Sequence, residues 1–180
     1  LYDLMTGARL GTAVGLNLQR SFGADVISRI SHCIKEPNGR EELTGLILDQ
    51  LKSMLKALAE KAGGKSTDIT ALAVAGNTTM CHLFAALSPK KLAAIPFTPE
   101  SLFGESFIPD LSSELSISPD SEVFILPAVS GFVGGDITGA ALAAGLDRGQ
   151  ETALLIDIGT NGEMALAGEN RLLCCATAAG

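Results

Sequence analysis

Aromatic residues are scarce in this 180-residue chain: Phe, Trp and Tyr make up 4% of it, with no Trp and a single Tyr. A surface that stacks single-stranded nucleic acid needs more rings than this. Basic residues are also outnumbered, with 13 Lys and Arg against 20 Asp and Glu, for a formal net charge of −7. Binding to phosphate backbones depends on clustered Lys and Arg, so the composition argues against a nucleic-acid partner.

Long apolar runs and a cysteine framework are missing as well. Mean hydropathy is +0.33, yet no uninterrupted apolar stretch reaches the ~20 residues that a membrane span requires. We find no signal peptide in the first residues, and because the chain does not begin with Met we expect a fragment. Four cysteines in a chain of this length predict no disulfide framework. We expect a cytoplasmic, reduced protein without a membrane partner.

Aliphatic residues and glycine are abundant instead. Hydrophobic residues make up 47% of the chain, and there are 20 glycines. This composition excludes intrinsic disorder, and the length suits one domain or a domain with part of another. Helical spacing of apolar residues occurs at 26–34 and, as a long stripe ended by Gly63 and Gly64, at 41–62.

Apolar runs alternate with these helices and predict an α/β protein. Runs at 69–75 and 123–126 indicate strands buried between helices, the first of them on both faces. Short helices are expected at 78–87 and 137–146. Further strands are predicted at 10–18, 152–158, 163–167 and 172–176, the last three as an antiparallel meander. Five prolines make 88–121 an irregular excursion with little room for helix.

The clearest chemical signal is the sequence DIGTNGE at 157–163. A buried strand delivers Asp157, and a turn of Gly and Asn residues exposes backbone N–H groups that can wrap a phosphate. A carboxylate at the mouth of such a turn can hold Mg²⁺ through water or orient an attacking water. An ordinary hairpin capped by an Asp fits the same pattern, since Asn-Gly is a very common hairpin turn.

Two further segments place polar residues at helix starts. In SGFVGGD at 130–136, Asp136 suits the first turn of a helix, and tight packing with an N-cap is the simplest explanation of the glycines. In AGNTTM at 75–80, Asn77 and Thr78 follow a strand end, where open α/β sheets bind ligands, although an ordinary helix cap fits equally. The His-Cys and Cys-Cys pairs lack the spacing of a zinc site.

Five segments, in this order, resemble the ATPase domain of the reductive activators of corrinoid proteins, in the acetate and sugar kinase/heat-shock chaperone/actin superfamily. They are FGADVISRI at 22–30, AGNTTM at 75–80, SGFVGGDI at 130–137, DIGTNGE at 157–163 and ATAAG at 176–180. The resemblance implies a ribonuclease H-like (actin-like ATPase) fold. Residues 1–146 would form the first lobe without its first strand, including the excursion at 88–121. Residues 147–180 would open the second lobe.

The resemblance also implies an activity and a partner. In that family, ATP hydrolysis drives an uphill electron transfer that returns an inactive Co(II) corrinoid protein to the Co(I) state used in methyl transfer. ATP and Mg²⁺ would be the cofactors here. The iron–sulfur cluster would belong to a ferredoxin-like domain outside this chain.

Site roles follow from the same resemblance. Asp157 would be catalytic and would help to place Mg²⁺ or water. The other implied contacts are Gly159, Thr160, Asn161 and Gly162 at the β- and γ-phosphates, Asn77 and Thr78 facing the cleft, and Gly134, Gly135 and Asp136 at the hinge helix.

The resemblance places the family's first phosphate loop before Leu1 and its adenosine-binding motif after Gly180. This segment alone is therefore expected to turn over little or no ATP. Two alternatives stay open: a small-molecule kinase of the same superfamily, and a non-catalytic docking module that uses residues 96–119. An open strand edge also invites pairing of two copies into a homodimer.

Overall fold

Helices and two small β-sheets make up the computed structural model, which describes residues 1–104, 111–149, 151–159 and 161–178. The helices are α1 (Val26–Lys35), α2 (Gly39–Lys61), α3 (Thr78–Phe84), α4 (Ser112–Leu115) and α5 (Gly135–Ala143). The strands are β1 (Ala71–Val74), β2 (Glu122–Ile125), β3 (Ala153–Ile158), β4 (Asn161–Gly168) and β5 (Arg171–Ala178). The predicted mixture of α and β structure is confirmed.

The two predicted amphipathic helices are confirmed, and local chemistry fixes their ends. Asp25 caps α1, because its carboxylate accepts the backbone N–H of Ser28 at 2.8 Å. At the end of α2, Gly63 takes a φ of +81° that disfavours other residues. This turn lets the N–H of Gly64 reach the Ala59 carbonyl at 2.9 Å and close the helix.

Strands β1 and β2 pair in parallel, with Leu72 opposite Val123. Their inward side chains join α2, α3 and α4 in the main apolar core, where Leu115 and Ile125 are fully buried. The expected burial of both faces of β1 is wrong, since its side chains alternate between exposed and half-buried. In the described chain this sheet has two strands, and the core covers one side of it.

Strands β3, β4 and β5 form the predicted antiparallel meander, with Asp157 opposite Glu163. One face packs on α5, where Ala165 joins Val133 and Ile137 in a small apolar cluster. Side chains of the other face are open to solvent: Leu154 is 56% exposed, Ile156 53% and Leu173 64%. The sheet is thus apolar on both faces but covered on one.

The strand predicted at 10–18 is wrong. These residues lie beside α2 without forming a strand, and a 3₁₀ turn follows at Leu18–Ser21. Gln50 of α2 bonds to this segment instead: its Nε2 donates to the Leu16 carbonyl at 2.7 Å, and its Oε1 accepts the Leu18 N–H at 3.0 Å. Two backbone groups of the segment are thus satisfied without a neighbouring strand.

Two shorter differences concern α3 and the excursion. Helix α3 ends at Phe84 rather than 87, and Ala86 then takes a positive φ of 55°. The described residues of the excursion, 88–104 and 111–121, are mostly irregular, as predicted, but they also include a 3₁₀ turn at Lys90–Ala93 and the single turn α4. None of the helices described is both long enough and apolar enough to cross a bilayer.

Candidate functional site

A cavity of about 330 Å³ lies where α1, the start of α3 and the β3–β4 hairpin approach one another. Its wall includes Asp25, Asn77, Asp136, Asp157 and Glu163. These residues come from segments far apart in the sequence, so the fold itself assembles the group. Polar side chains gathered in one cavity are a candidate binding site.

The start of α3 is held rigidly at the cavity. Asn77 caps the helix by accepting the Met80 N–H at 2.9 Å. The hydroxyl of Thr78 donates to the Ser130 carbonyl at 2.7 Å, which ties α3 to the loop before α5. One turn later, the fully buried His82 bonds to the Thr78 carbonyl through Nδ1 at 2.7 Å. Its Nε2 accepts the Glu100 N–H at 3.0 Å, so Nδ1 carries the proton of a neutral ring.

Glycines let the start of α5 pack directly on this turn. A Cβ on Gly134 would lie 2.6 Å from the Asn77 Cα and 2.7 Å from the Thr78 nitrogen. The Asp136 N–H donates to the Gly76 carbonyl at 3.2 Å. This close approach of two backbones brings the Asp136 carboxylate into the cavity wall.

Two carboxylates of the cavity, Asp136 and Glu163, have raised pKa values. Burial raises the pKa of Asp136, and the nearby Asp157 raises it further. Burial likewise raises the pKa of Glu163, with added contributions from Asp136 and Asp157. Negative groups in a half-buried space destabilise one another, and a cation between them would relieve the repulsion.

The hairpin supplies backbone as well as carboxylates. The Gly159 N–H donates to the Asn161 carbonyl at 2.9 Å, and both residues line the cavity. Gly162 is buried opposite Ile158 and is not part of the cavity wall. Thr160, predicted as a phosphate contact, lies outside the described residues.

The cavity brings together six of the predicted site residues: Asn77, Thr78, Asp136, Asp157, Gly159 and Asn161. Gly134 and Gly135 lie behind its wall, against α3 and against the Leu126 carbonyl. Sequence reasoning assigned no role to Asp25, Arg29 or Glu163. Period-two alternation along β4 could have found Glu163, because it shares a face with Ala165 opposite Asp157.

No described group of three or more His, Cys, Asp and Glu side chains is arranged to hold a metal ion. A Mg²⁺ site does not require three such side chains, because Mg²⁺ commonly binds through one or two carboxylates together with phosphate oxygens and water. The donor set at Asp136, Asp157 and Glu163 is all oxygen, the type that Mg²⁺ prefers.

The mixed α/β fold is consistent with what family comparisons find. Residues 151–180 match the model described as the C-terminal domain of RACo, the ASKHA domain. Residues 1–149 match the model of the RACo middle region. Because that match covers most of the sequence, the chain belongs to the RACo family, and the predicted family is confirmed.

Two relatives illustrate the similarity. The chain is 36% identical over 180 residues to the "Corrinoid activation enzyme RamQ" of Eubacterium limosum, covering 100% of this chain and 30% of the relative. It also matches a solved structure titled "Reductive activator for corrinoid, iron-sulfur protein", with a TM-score of 0.90 and 41% identity over 99% of this chain. The match covers 28% of that structure, so the chain spans about a third of either relative's length or less.

Proposed function

We propose that this chain supplies a phosphate- and cation-binding wall of an ATP-dependent activator that returns corrinoid proteins to their reduced, active state. The observation that carries the proposal is the convergence of Asn77, Asp136 and Asp157 on one cavity. The names of the two relatives support the corrinoid role over the alternative of a small-molecule kinase. The remaining length of such relatives would supply the rest of the activity and its partner contacts.

The lobe arrangement is part of this proposal. Residues 1–146 would be a ribonuclease H-like first lobe, and 147–180 the opening strands of a second. The cavity's position between α1, α3 and the β3–β4 hairpin supports this division, because ligands of open α/β sheets bind in crevices at strand ends. A partner-docking role for residues 96–119 and a homodimer remain predictions.

The residues present fit MgATP at its phosphate end. Asp157 would bind Mg²⁺ through water, and the neighbouring Asp136 and Glu163 would add negative charge around it; the bound cation supplies charge neutralisation at the phosphates. The hairpin residues Gly159 and Asn161 and the polar start of α3, which line the cavity, would contact phosphate oxygens. A volume of about 330 Å³ is small for a ligand pocket, which suits the phosphates rather than a whole nucleotide. Asp157 would orient the attacking water.

A chimera tests the role. The matching third of the Eubacterium limosum relative is replaced by this chain, and return of its corrinoid substrate from Co(II) to Co(I) is followed by absorbance with MgATP and a chemical reductant as the electron donor. We expect activity in the chimera and its loss in Asp157→Asn. Asp49→Asn, an exposed carboxylate on α2, is the matched control and should stay active.

Two results would contradict the proposal. The first is reactivation by the Asp157→Asn chimera at the rate of the Asp49→Asn control. The second is phosphoryl transfer to sugars or carboxylates without corrinoid reduction, which would favour the kinase alternative. For the 180-residue chain alone we expect calorimetry with MgATP to give binding weaker than micromolar, because residues outside it would complete the phosphate clamp.

A further inference from the structure

A positive charge lies in the wall of this acidic cavity. Arg29, in the first turns of α1, is 6% exposed and lines the cavity together with Asp157 and Glu163. Among the lining residues that the structure describes, it is the only Lys, Arg or His. A guanidinium stays protonated in proteins. Burial disfavours this charge, whereas the neighbouring Asp25 carboxylate, also in the cavity wall, favours it without forming an ion pair within 4 Å.

The Arg29 side chain is anchored at one end and free at the other. Its Nε donates to the Gly23 carbonyl at 3.1 Å. The nearby Asp25 carboxylate accepts the backbone N–H of Ser28 at 2.8 Å and the Ser28 hydroxyl at 3.0 Å. No ion pair joins Arg29 to a carboxylate within the described ranges. Over the same ranges its terminal amines have no hydrogen-bond partner, although they belong to a residue in the cavity wall.

The anchor also fixes the direction of the side chain. A Cβ on Gly23 would lie 2.7 Å from the Ser28 Cβ and 2.9 Å from the Arg29 nitrogen, so the turn before α1 is tightly packed. A guanidinium held by Nε presents its terminal amines as a planar fork. Such forks match two oxygens of a phosphate or carboxylate at once.

We propose that Arg29 binds a phosphate group of the ligand through its terminal amines, an inference that rests on the proposed function. A phosphate fits better than a carboxylate because the cavity also holds Asp136, Asp157 and Glu163, which call for a cation. Metal-bound phosphate supplies both charges in one ligand. Arg29 contacts its oxygens from one side, and the carboxylates hold its cation from another.

Magnesium pyrophosphate is the probe, titrated into the full 180-residue chain labelled with ¹⁵N-arginine. The Nε–H of Arg29, protected by its bond to Gly23, gives a side-chain signal that should shift on binding. Arg29→Gln should raise the Kd by about tenfold or more, the usual worth of a charged hydrogen bond. Arg29→Lys keeps the charge without the fork and should fall between the two. The control, Arg20→Gln, removes an exposed arginine nearby and should stay within about twofold of the wild type.

Each result decides the matter. A shifted Arg29 signal with weaker binding in Arg29→Lys supports the contact even if Arg29→Gln fails to fold by circular dichroism. An unmoved Arg29 signal, or equal affinities for Arg29→Gln and Arg20→Gln, overturns it. If MgATP binds Arg29→Gln as well as the wild type, this inference fails and the proposed function stands. If pyrophosphate engages Arg29 but the Asp157→Asn chimera reactivates its corrinoid substrate at the control rate, the contact stands and the ATP proposal fails.

Discussion

Gln19 and Thr44, buried in the helical part of the chain, are paired by hydrogen bonds, whereas the half-buried Asp136 and Glu163 face groups of the same charge. Gln19 donates to the Leu43 carbonyl at 2.8 Å, and Thr44 donates to the Leu83 carbonyl at 2.7 Å. In the cavity, burial and the neighbouring carboxylates Asp136 and Asp157 instead raise the pKa of Glu163. Paired groups hold the helices α1–α4 and the strands β1 and β2 in place, and this part of the molecule is called the frame below. Unpaired like charges mark the place where a ligand would bring its own counter-charge.

The same contrast holds for apolar residues. Leu83 is fully buried between α2 and α3, while Leu154 projects from the open face of β3 and is 56% exposed. The frame therefore owes its stability to packing within the described residues. The β3–β4–β5 sheet is stabilised on its α5 side only.

The largest effect is expected from truncating the frame. Leu83→Ala should lower the free energy of unfolding by about 2–5 kcal/mol, because it opens a cavity in a packed core. Leu154→Ala, the matched control, should change it by about 0.5 kcal/mol or less. Urea unfolding followed by circular dichroism measures both. If Leu154→Ala lowered the free energy of unfolding as much as Leu83→Ala, the outer face of the β3–β4–β5 sheet would be covered in solution rather than exposed.

The second-largest effect on stability is expected from adding a methyl group at Gly134, where the start of α5 packs on the start of α3. Gly134→Ala should cost about 1–3 kcal/mol, because the new methyl group meets the Asn77 and Thr78 backbone, which α3 holds in place. Gly45→Ala, in α2 with open space around it, should raise stability by about 0.5–1 kcal/mol. Thermal melts of the two variants should thus move in opposite directions. A Gly134→Ala protein as stable as the wild type would show that the junction can relax.

His82 should give the frame a characteristic pH dependence. Burial lowers the pKa of His82 from its ordinary value of 6.5, so the folded state disfavours the charged ring. The unfolded chain binds that proton more readily, and stability should therefore fall as the pH drops below about 6.5.

His82→Leu should remove this dependence and cost about 1–3 kcal/mol at neutral pH, since it leaves buried backbone groups unpaired. His32→Gln, at a partly exposed histidine paired with Glu42, should have the smaller effect. Unfolding curves between pH 5 and pH 8 measure the slopes. An unchanged slope in His82→Leu would assign the titration to another group.

The smallest effect is expected at Asp136, and its sign is opposite. Burial and Asp157 raise the pKa of Asp136 above its ordinary 3.8, so its contribution to stability is present at low pH and lost as the pH rises through the raised value. Asp136→Asn should therefore raise the melting temperature at pH 7.5 and match the wild type near pH 4. Adding Mg²⁺ should stabilise the wild type more than the variant. A lower melting temperature for Asp136→Asn at pH 7.5 would contradict the contrast.

The sequence predicted elements best where local chemistry decides them. Helix α2 and its glycine end were foreseen within about two residues, because an apolar stripe and a positive-φ position are local properties. The β3–β4–β5 meander was foreseen for the same reason. The strand predicted at 10–18 was wrong, since an apolar run does not say whether a neighbouring strand or a side chain of α2 satisfies its backbone.

The prediction of site residues was likewise limited to those that local motifs mark. Motif reasoning named Asp157 and Asn77, and the fold places both at one cavity, while their chemical roles stay predictions. It missed Arg29, because an arginine between apolar residues of an amphipathic helix looks like an ordinary surface position. Only tertiary structure reveals that the side chain turns inward and that Asp25 is occupied by the cap of α1.

Gln50 shows how one side chain can stand in for a whole rung of a β-ladder. Its amide offers a donor to Leu16 and an acceptor to Leu18, the same pair of groups that one residue of a parallel neighbour would offer around Asn17. A side chain of helix α2 therefore makes the hydrogen bonds to residues 16–18 that a neighbouring strand would otherwise make. Gln50→Glu would keep the acceptor for the Leu18 N–H but replace the donor by an oxygen that repels the Leu16 carbonyl. One of the two hydrogen bonds would then be lost.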